Sequence, residues 1–477
     1  MRWDPVSPVY PERPRDPPLD LVGDMQLERL IAALAPTDVV GGAAVEIREL
    51  AYDAREVPRG SLFFCIPGAT ADGHEFAAEA VREGAVALVV ERPLAVDVPQ
   101  LVVPNVRAAM PRAAVELFGD PTALLPVVAV TGTNGKTTTA YLLWSILDAT
   151  GERPGLLTNV ERRVGDDVRM VGLNTPESID LQRLFREMLD AGNRACVMEA
   201  TSMASVKGRL EGTRFAVLVF TNLTQDHLDF HGTMDDYFEA KRRLFAQASR
   251  AVVNVDDEYG ERLAAEIPDA TTFRPDDELG DIQLKLPGRF NRENALAAAA
   301  AARALGIRED AIKRGIEAVE RVPGRFDSVD EGQPFTVLVD YAHTPGALEA
   351  ALESARELAR GRLICVFGAG GDRDRDKRPL MGQIVTELAD VALVTSDNPR
   401  SEDPAAIAAD VVDGLDLDVE LDRRRAIERA LEQAQPGDVV VIAGKGHEQG
   451  QEIAGRKLPF DDRDVARDAL RRLKAPA

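Results

Sequence analysis

The feature of this chain that most constrains its fold is a series of short aliphatic and β-branched runs without polar alternation. They lie at residues 127–130, 196–198, 217–220, 337–339, 363–367, 391–394 and 439–442. Between them lie segments of helical character, such as the Ala- and Leu-rich residues 291–305. Strands that are apolar on both faces and separated by helices are typical of parallel sheets covered on both sides. The sequence therefore predicts an α/β protein.

Two turn-rich breaks divide the chain, at residues 118–122 and 322–334. A length of 477 residues is consistent with three domains at about 150 residues each. We predict a smaller N-terminal α/β domain at 23–120, a central domain with a P-loop ATPase-like parallel sheet at 121–324 and a C-terminal Rossmann-like domain at 325–477. Residues 1–22 are Pro-rich and polar, which predicts a disordered tail.

Composition excludes several classes of function. Lys and Arg number 57 against 80 Asp and Glu, a net charge of −23, so nucleic acid is not the expected partner. There is no run of 18 apolar residues, so we expect no membrane insertion. The first residues lack the apolar core of a secretory signal, which favours a cytoplasmic protein. Cys65, Cys196 and Cys365 lie in apolar runs, which predicts buried thiols in a reducing compartment.

Residues 131–138, Thr-Gly-Thr-Asn-Gly-Lys-Thr-Thr, follow the first strong strand and precede a helix. Backbone N–H groups at such a turn bind polyphosphate, the lysine contacts the β- and γ-phosphates, and the next hydroxyl binds Mg²⁺. The strict pattern has a glycine where Val130 stands, and no Asn-Lys-x-Asp occurs, so ATP is favoured over a guanine nucleotide. The predicted loop residues are Gly132, Thr133, Asn134, Gly135, Lys136, Thr137 and Thr138.

Three further residues are candidates for a metal site at the same sheet edge. Glu199 ends a strand, and His227 follows another within Asp-His-Leu-Asp; the carboxyl ends of parallel strands share one edge. Lys241 falls on the apolar face of a helix. From spacing alone, this lysine either extends its amine to solvent or is buried, loses its proton and reacts with CO₂ to form an anionic carbamate.

Together, residues 131–138, Glu199, the Thr-Asn-Leu-x-x-Asp-His-Leu-Asp run at 221–229 and Lys241 resemble the Mur ligases of peptidoglycan synthesis. Four C-terminal motifs, at 341–345, 370–374, 397–400 and 444–448, narrow the resemblance. They are similar to those of the members that add the third stem-peptide residue to UDP-N-acetylmuramoyl-L-Ala-D-Glu. The resemblance extends from about residue 45 to the end of the chain.

The resemblance implies an ATP-dependent amide ligase with three domains that bind UDP-muropeptide, ATP and amino acid in chain order. It implies an acyl-phosphate intermediate, Mg²⁺ as cofactor and ATP as co-substrate, and we expect a monomer. The catalytic residues carried over are Lys136, Lys241 and His227. The metal ligands are Thr137, Glu199, His227 and Lys241 as its carbamate. Further nucleotide contacts are Asn291, Arg325 and Asp340.

Substrate residues are also carried over by resemblance. For the UDP-muropeptide they are Tyr52, Ala54, Asn174, Thr175, Thr201 and Arg209. For the amino acid they are Arg373, Asp397, Asn398, Pro399, Arg400, Gly444 and Glu448. Arg400 would bind the extra carboxylate of meso-diaminopimelate bidentately, and Glu448 would meet its ammonium, so we expect this substrate rather than L-lysine.

Two departures from the family pattern leave alternatives open. Ala54 stands where the family has serine, and Met203 where it has histidine. One alternative is a Mur-like paralogue that ligates L-lysine or another amino acid. The other is a catalytically silent nucleotide-binding regulator, which a substrate-dependent phosphate-release assay would distinguish.

Overall fold

The computed structural model describes residues 25–68, 71–170 and 174–474. Three main sheets follow one another along the chain, each built largely of parallel strands. The predicted α/β class is therefore confirmed. The predicted disordered tail at 1–22 lies outside the described residues. Within the described part of the chain, no helix is long and apolar enough to cross a membrane.

The N-terminal sheet has five strands in the order β2-β7-β6-β5-β4, of which only β2 runs antiparallel to its neighbour. Strands β1 and β3 form a separate antiparallel pair. The strands are β1 (Met25–Gln26), β2 (Asp38–Val40), β3 (Glu46–Ile47), β4 (Glu49–Ala51), β5 (Ser61–Phe64), β6 (Ala85–Val90) and β7 (Gln100–Val102). The α-helices are α1 (Leu27–Leu34), α2 (Ala77–Glu83) and α3 (Val106–Phe118).

The central sheet has eight strands in the order β11-β10-β9-β12-β8-β13-β14-β15, and only the β9-β10-β11 edge is antiparallel. The strands are β8 (Val127–Thr131), β9 (Gly155–Leu157), β10 (Glu161–Val164), β11 (Asp167–Met170), β12 (Cys196–Glu199), β13 (Phe215–Phe220), β14 (Ala251–Asn254) and β15 (Thr271–Phe273). The helices are α4 (Lys136–Asp148), α5 (Ser178–Asp190), α6 (Ser202–Val206), α7 (Leu228–His231), α8 (Met234–Arg242), α9 (Glu258–Glu266), α10 (Arg289–Ala304) and α11 (Glu309–Ala318).

The C-terminal sheet has six strands in the order β16-β17-β21-β18-β19-β20, parallel except for β16, and a hairpin of β22 and β23 lies beside it. The strands are β16 (Asp327–Ser328), β17 (Thr336–Asp340), β18 (Leu363–Phe367), β19 (Val391–Val394), β20 (Asp418–Val419), β21 (Val439–Ala443), β22 (Gly450–Ile453) and β23 (Arg456–Pro459). The helices are α12 (Pro345–Leu358), α13 (Lys377–Leu388), α14 (Pro404–Val412), α15 (Arg423–Glu432) and α16 (Asp462–Lys474).

The central strand β8 shows why these strands lack polar alternation. Val128 and Val130 pack into the apolar layer formed with α4 and α10, whereas Val127 and Ala129 pack into the layer on the opposite face. Both faces of the strand are therefore covered by helices. The three cysteines are buried and unpaired, as predicted.

The carboxyl ends of the central and C-terminal strands face each other across a cleft of about 1070 Å³. Hydrogen bonds cross it: Arg325 Nη2 donates to Thr137 Oγ1 at 3.0 Å, His447 Nε2 donates to the Asn159 carbonyl at 3.0 Å, and Gln225 Nε2 donates to Asp374 Oδ2 at 3.4 Å. The chain enters the C-terminal sheet through Gly324, where a Cβ would lie 2.1 Å from the His447 backbone nitrogen. The cleft is where parallel sheets place their ligands.

Candidate functional site

The phosphate loop connects the end of β8 to the start of α4. At Gly132 the backbone has a φ of +145°, and a Cβ there would lie 1.9 Å from the Thr221 hydroxyl oxygen. Only glycine fits this position. Gly135 directly precedes the first residue of α4, so the loop leads into a helix N-terminus that favours an anion. Residues 133–138 all line the cleft.

Lys136 lies at the centre of this loop. Its Nζ donates to the carbonyl oxygens of Gly132 at 3.0 Å and Thr133 at 2.8 Å. Burial lowers the pKa of the lysine, against the opposing effect of the Glu199 and Asp226 carboxylates. Two carbonyl oxygens of the loop therefore hold the Lys136 ammonium, and Lys136 lies on the cleft wall.

The contacts of Glu199, the last residue of β12, indicate whether this site suits a metal cation. Its Oε1 accepts from Thr137 Oγ1 at 2.8 Å and from the Asn159 N–H at 3.1 Å. Its Oε2 is buried and has no hydrogen-bond partner in the described structure. A buried carboxylate oxygen without a partner is costly unless a cation neutralises it, and oxygen donors are those that Mg²⁺ prefers. The residues present fit such an ion.

The protein alone does not complete a metal cage. Across the described residues, no three His, Cys, Asp or Glu side chains converge as metal ligands. Mg²⁺ characteristically keeps few protein ligands and takes the rest from water and substrate phosphates. The donor set here matches that pattern.

His227 lies beside this wall, immediately before α7. Its Nε2 is 3.4 Å from Asp226 Oδ2, and its ring meets Tyr237 edge-on at 6.2 Å. Burial lowers the pKa of His227 to about 4. The imidazole is therefore neutral at pH 7, the form in which a histidine nitrogen can ligate a cation.

Lys241, on α8, is only 1% exposed. Its Nζ donates to the Gly132 carbonyl at 2.8 Å and lies 4.5 Å from the centre of the Tyr237 ring. The amine does not extend to solvent, so that interpretation of the sequence is wrong. Burial, reinforced by the charge of Lys136, holds the pKa of Lys241 well below its ordinary value. A neutral amine is the reactive form toward CO₂.

Two predicted nucleotide contacts, Arg325 and Asp340, lie on the C-terminal side of the cleft and have different surroundings. Arg325 lies 4.3 Å above the Tyr341 ring and reaches the phosphate loop. Asp340 accepts from the backbone N–H groups of Phe326 at 2.6 Å and Ala342 at 2.8 Å. Asp340 therefore fixes the turn that carries Arg325, and burial raises its pKa.

Asn291 does not line the cleft, whereas Asn294 does. Asn291 is buried on α10 and donates to the Pro287 carbonyl at 2.7 Å, and its own Oδ1 accepts from Asn294 at 3.2 Å. Sequence analysis missed Asn294. The i, i+3 spacing of the two asparagines, which places them on one helix face, was the available signal.

Four of the six predicted muropeptide residues come together on the cleft wall: Asn174, Thr175, Thr201 and Arg209. The Thr175 and Thr201 hydroxyls are 3.2 Å apart, and Arg209 donates to the Thr175 carbonyl at 3.2 Å. Met203 lines the same wall.

Tyr52 and Ala54 do not line this cleft. The Tyr52 hydroxyl donates to Asp180 Oδ2 on α5 at 2.5 Å, which ties the N-terminal domain to the central one. The structure thus separates these two residues from the other predicted muropeptide contacts.

At the C-terminal end of the cleft, sequence analysis missed Lys445. This fully buried lysine donates to Asn398 Oδ1 and to Glu448 Oε2, both at 3.0 Å, and Asn398 Nδ2 donates to Glu448 at 2.8 Å. Lys445 stands inside the Gly-Lys-Gly-His-Glu motif, which was the available signal. Glu448 is therefore a carboxylate already held by a cation and an amide.

The other predicted amino-acid contacts surround this group. Arg400 Nη1 donates to the Gly371 carbonyl at 2.6 Å, and its Nε lies 3.5 Å from Glu452 Oε2. Arg373 is exposed on the rim of the cleft. Asp397 Oδ1 is buried without a hydrogen bond in the described structure, 3.6 Å from Lys445 Nζ. Of the remaining two, Gly444 lines the cleft and Pro399 does not.

Three family models match the chain in succession. They are described as the Mur ligase family catalytic domain, over residues 46–131, the Mur ligase middle domain, over 130–273, and the Mur ligase glutamate ligase domain, over 324–446.

Curated relatives match over nearly the whole chain. The UDP-N-acetylmuramoyl-L-alanyl-D-glutamate–2,6-diaminopimelate ligase of Geobacillus kaustophilus is 46% identical, over 94% of this chain and 99% of the relative. That of Aquifex aeolicus is 42% identical, over 89% and 94%. A solved structure of a ligase of the same name is 31% identical with a TM-score of 0.65, over 95% and 100%. MurF from Acinetobacter baumannii, at 20% identity and a TM-score of 0.65, shares the fold.

Proposed function

The chain belongs to the Mur ligase family, and on that premise we propose that it ligates meso-diaminopimelate to UDP-N-acetylmuramoyl-L-Ala-D-Glu with ATP, in peptidoglycan precursor synthesis. One observation carries the proposal. A single cleft joins the phosphate loop and Glu199 on one side to Arg400 and Glu448 on the other.

We assign one substrate to each domain. Residues 23–120 bind the UDP-muropeptide together with the central wall around Thr175, residues 121–324 bind ATP, and residues 325–477 bind the amino acid. The bond between Tyr52 and Asp180 supports continuity between the first two surfaces. The separation of Tyr52 from the cleft matches a long substrate that extends beyond it.

The reaction has two displacements. A carboxylate oxygen of D-Glu attacks the γ-phosphorus of ATP, forming an O–P bond as the bond to ADP breaks. The neutral amine of the amino acid then attacks the acyl carbon, forming the C–N bond; inorganic phosphate leaves and the amine proton passes to solvent. Lys136 holds the charge of the transferring phosphoryl group, and such electrostatic contacts dominate catalysis of phosphoryl transfer.

Magnesium would be held by Thr137, Glu199, His227 and carbamylated Lys241. Bound there, it supplies positive charge that offsets the repulsion between ATP and the substrate carboxylate. The unpartnered Glu199 oxygen, the neutral His227 ring and the low pKa of Lys241 support this donor set.

Diaminopimelate differs from L-lysine by a carboxylate beside its distal ammonium. Arg400 lies in the cleft with donors directed at carbonyl and carboxylate oxygens, and a guanidinium binds a carboxylate through two parallel bonds. Glu448, held by Lys445, lies at the same end of the cleft to meet the ammonium.

The decisive experiment offers UDP-N-acetylmuramoyl-L-Ala-D-Glu and ATP with a panel of amino acids and follows ADP. We expect ADP release with meso-diaminopimelate and little with L-lysine. Equal use of L-lysine would overturn the specificity and favour the paralogue alternative. An absence of ADP release with every amino acid of the panel would overturn the ligase assignment in favour of a catalytically silent regulator.

We further propose that the enzyme acts as a monomer in the cytoplasm, where UDP-linked precursors and ATP are available. Light scattering of the purified chain at micromolar concentration tests the first point. A mass near twice 51.7 kDa would overturn it.

A further inference from the structure

Lys377, the first residue of α13, differs from the other lysines in and beside the cleft. It is 4% exposed and lines the cleft wall. Its nearest ionic partner is Asp226, with Nζ and Oδ1 3.9 Å apart, beyond hydrogen-bond distance. Within the described residues its ammonium makes no hydrogen bond, whereas Lys136, Lys241 and Lys445 each donate at 3.0 Å or less.

The Lys377 ammonium opens onto the cleft and has no hydrogen-bond acceptor from the described protein, so it is available to an anionic ligand there. The start of α13 holds Lys377 in this position. The next residue, Arg378, is fully buried and pairs with Glu402 and Asp410, each at 2.8 Å. The lysine therefore projects from a fixed helix end whose dipole also favours an anion.

The surroundings indicate which anion. Asp226 precedes His227 and lies close enough to Lys136 to affect its pKa. Gln225 Nε2 lies 3.4 Å from Asp374 Oδ2, so this loop and the segment before α13 meet across the cleft. His343 also lies close to Lys377, and its pKa is lowered by burial and by Lys377. Lys377 thus approaches the phosphate side from the C-terminal domain.

We propose that Lys377 is a catalytic residue whose ammonium contacts the transferring phosphoryl group, so that the C-terminal domain completes the phosphate site. This inference rests on the proposed function. The phosphoryl oxygens stay negative while the O–P bond to the D-Glu carboxylate forms and the bond to ADP breaks. They stay negative while the acyl C–O bond breaks as the C–N bond forms. Lys377 keeps its proton through both displacements.

The first test is Lys377→Met, with steady-state kinetics for all three substrates. Losing one preorganised donor typically costs about 100- to 1000-fold in kcat. We expect kcat to fall by that factor. KM for diaminopimelate and the Kd of ATP should stay within about threefold of their wild-type values, a change far smaller than the loss in kcat. Lys285→Met is the matched control, because Lys285 pairs with Glu320 on an exposed surface.

The second test separates the charge from the fold. In Lys377→Cys the introduced thiol lies in the cleft, whereas the three native thiols are buried. Alkylation with 2-bromoethylamine restores an ammonium at nearly the same reach. We expect kcat to recover on alkylation of this variant, and no effect of the reagent on the wild type.

Three outcomes would each overturn the role of Lys377 while the wild type stays active. They are a wild-type kcat in Lys377→Met, a loss confined to KM for diaminopimelate, and no recovery of kcat on aminoethylation of Lys377→Cys. A wild type that turns over no amino acid would overturn the proposed function itself.

Discussion

The two ends of the cleft each hold a lysine beside the end of a strand, half-buried at Lys136 and fully buried at Lys445, yet they fix it in different ways. Lys136 is held by carbonyls of its own loop, Gly132 and Thr133. Lys445, after β21, is held by Asn398, from the loop after β19 two strands away in the sheet, and by Glu448. The phosphate end is a local unit, whereas the amino-acid end exists only when several strand ends meet. We therefore expect loss of the Lys136 ammonium to reduce activity without reducing stability, and loss of the Lys445 ammonium to reduce both.

The largest expected effect comes from Lys136→Ala. Because the loop conformation depends on glycine and on β8 rather than on a charge pair, we expect the fold to survive. Turnover should fall by about 1000-fold or more, since the phosphoryl group loses its main cation. ADP release measures the loss, and circular dichroism with a melting curve checks the fold. Near-normal turnover would refute the phosphate-loop assignment.

Lys241→Ala should be nearly as severe, by about 100- to 1000-fold in kcat, because the carbamate anion is lost. Short carboxylic acids such as acetate should partly restore activity by filling the space. Lys313→Ala, at an exposed pair with Asp281, is the control and should show neither effect. Intact mass spectrometry of the active enzyme that shows only the free Lys241 amine would refute the carbamate hypothesis.

Lys445→Met tests the other end. It leaves Glu448 without its cation, and breaking a buried pair costs about 3–5 kcal/mol. Because Glu448 is 31% exposed, we expect the lower end of that range. Urea unfolding measures the free energy, and KM for diaminopimelate should rise in the same variant. A stability loss no larger than that of Lys136→Ala would break the comparison between the two ends.

Arg400→Ala should raise KM for diaminopimelate by about 100-fold, the loss of a bidentate charged contact at about 1.5–3 kcal/mol. Stability should change little, because its carboxylate partner Glu452 lies 3.5 Å away and is itself exposed. KM for ATP serves as the internal reference. An equal rise in both values would show that Arg400 acts on the whole domain rather than on the amino acid.

The smallest effect is a pH dependence at the bond between the domains. Burial lowers the pKa of His447 to about 3, while an unfolded histidine titrates near 6.5. Between these values the unfolded chain binds more protons, so stability falls as pH falls from 6.5 toward 3. Compared with His447→Gln, the wild type should lose about 1–2 kcal/mol more between pH 7.5 and 5. Parallel urea curves for the two proteins at both pH values would contradict this.

The same contrast explains what the sequence could predict. The α/β fold followed from runs whose burial on both faces is visible residue by residue, as in β8. The phosphate loop is contiguous, so its residues were found together. Lys445 and Lys377 were missed because their burial depends on distant segments, and Lys377 stands in a stretch, Asp-Arg-Asp-Lys-Arg, that is typical of an exposed helix start.

Asn291 and Tyr52 show the limit of transferring roles by resemblance. The i, i+3 spacing places Asn291 and Asn294 on one helix face, but it does not show which of the two lies at the cleft. The position of Tyr52 depends on how the N-terminal domain meets α5, a contact between segments more than 100 residues apart in the chain.

The close approach at Gly324 bears on how this chain can be altered. The residue there has no room for a Cβ, and a Cβ at the facing Gly446 would lie 2.6 Å from the Gly324 carbonyl oxygen. A tag, a loop graft or a circular permutation at this point would push apart the backbone segments that carry Arg325 and His447. The apparent linker between the two sheets is thus a poor insertion site, and exposed turns such as Gly414, with no atom within 4 Å of a Cβ, are better places to engineer.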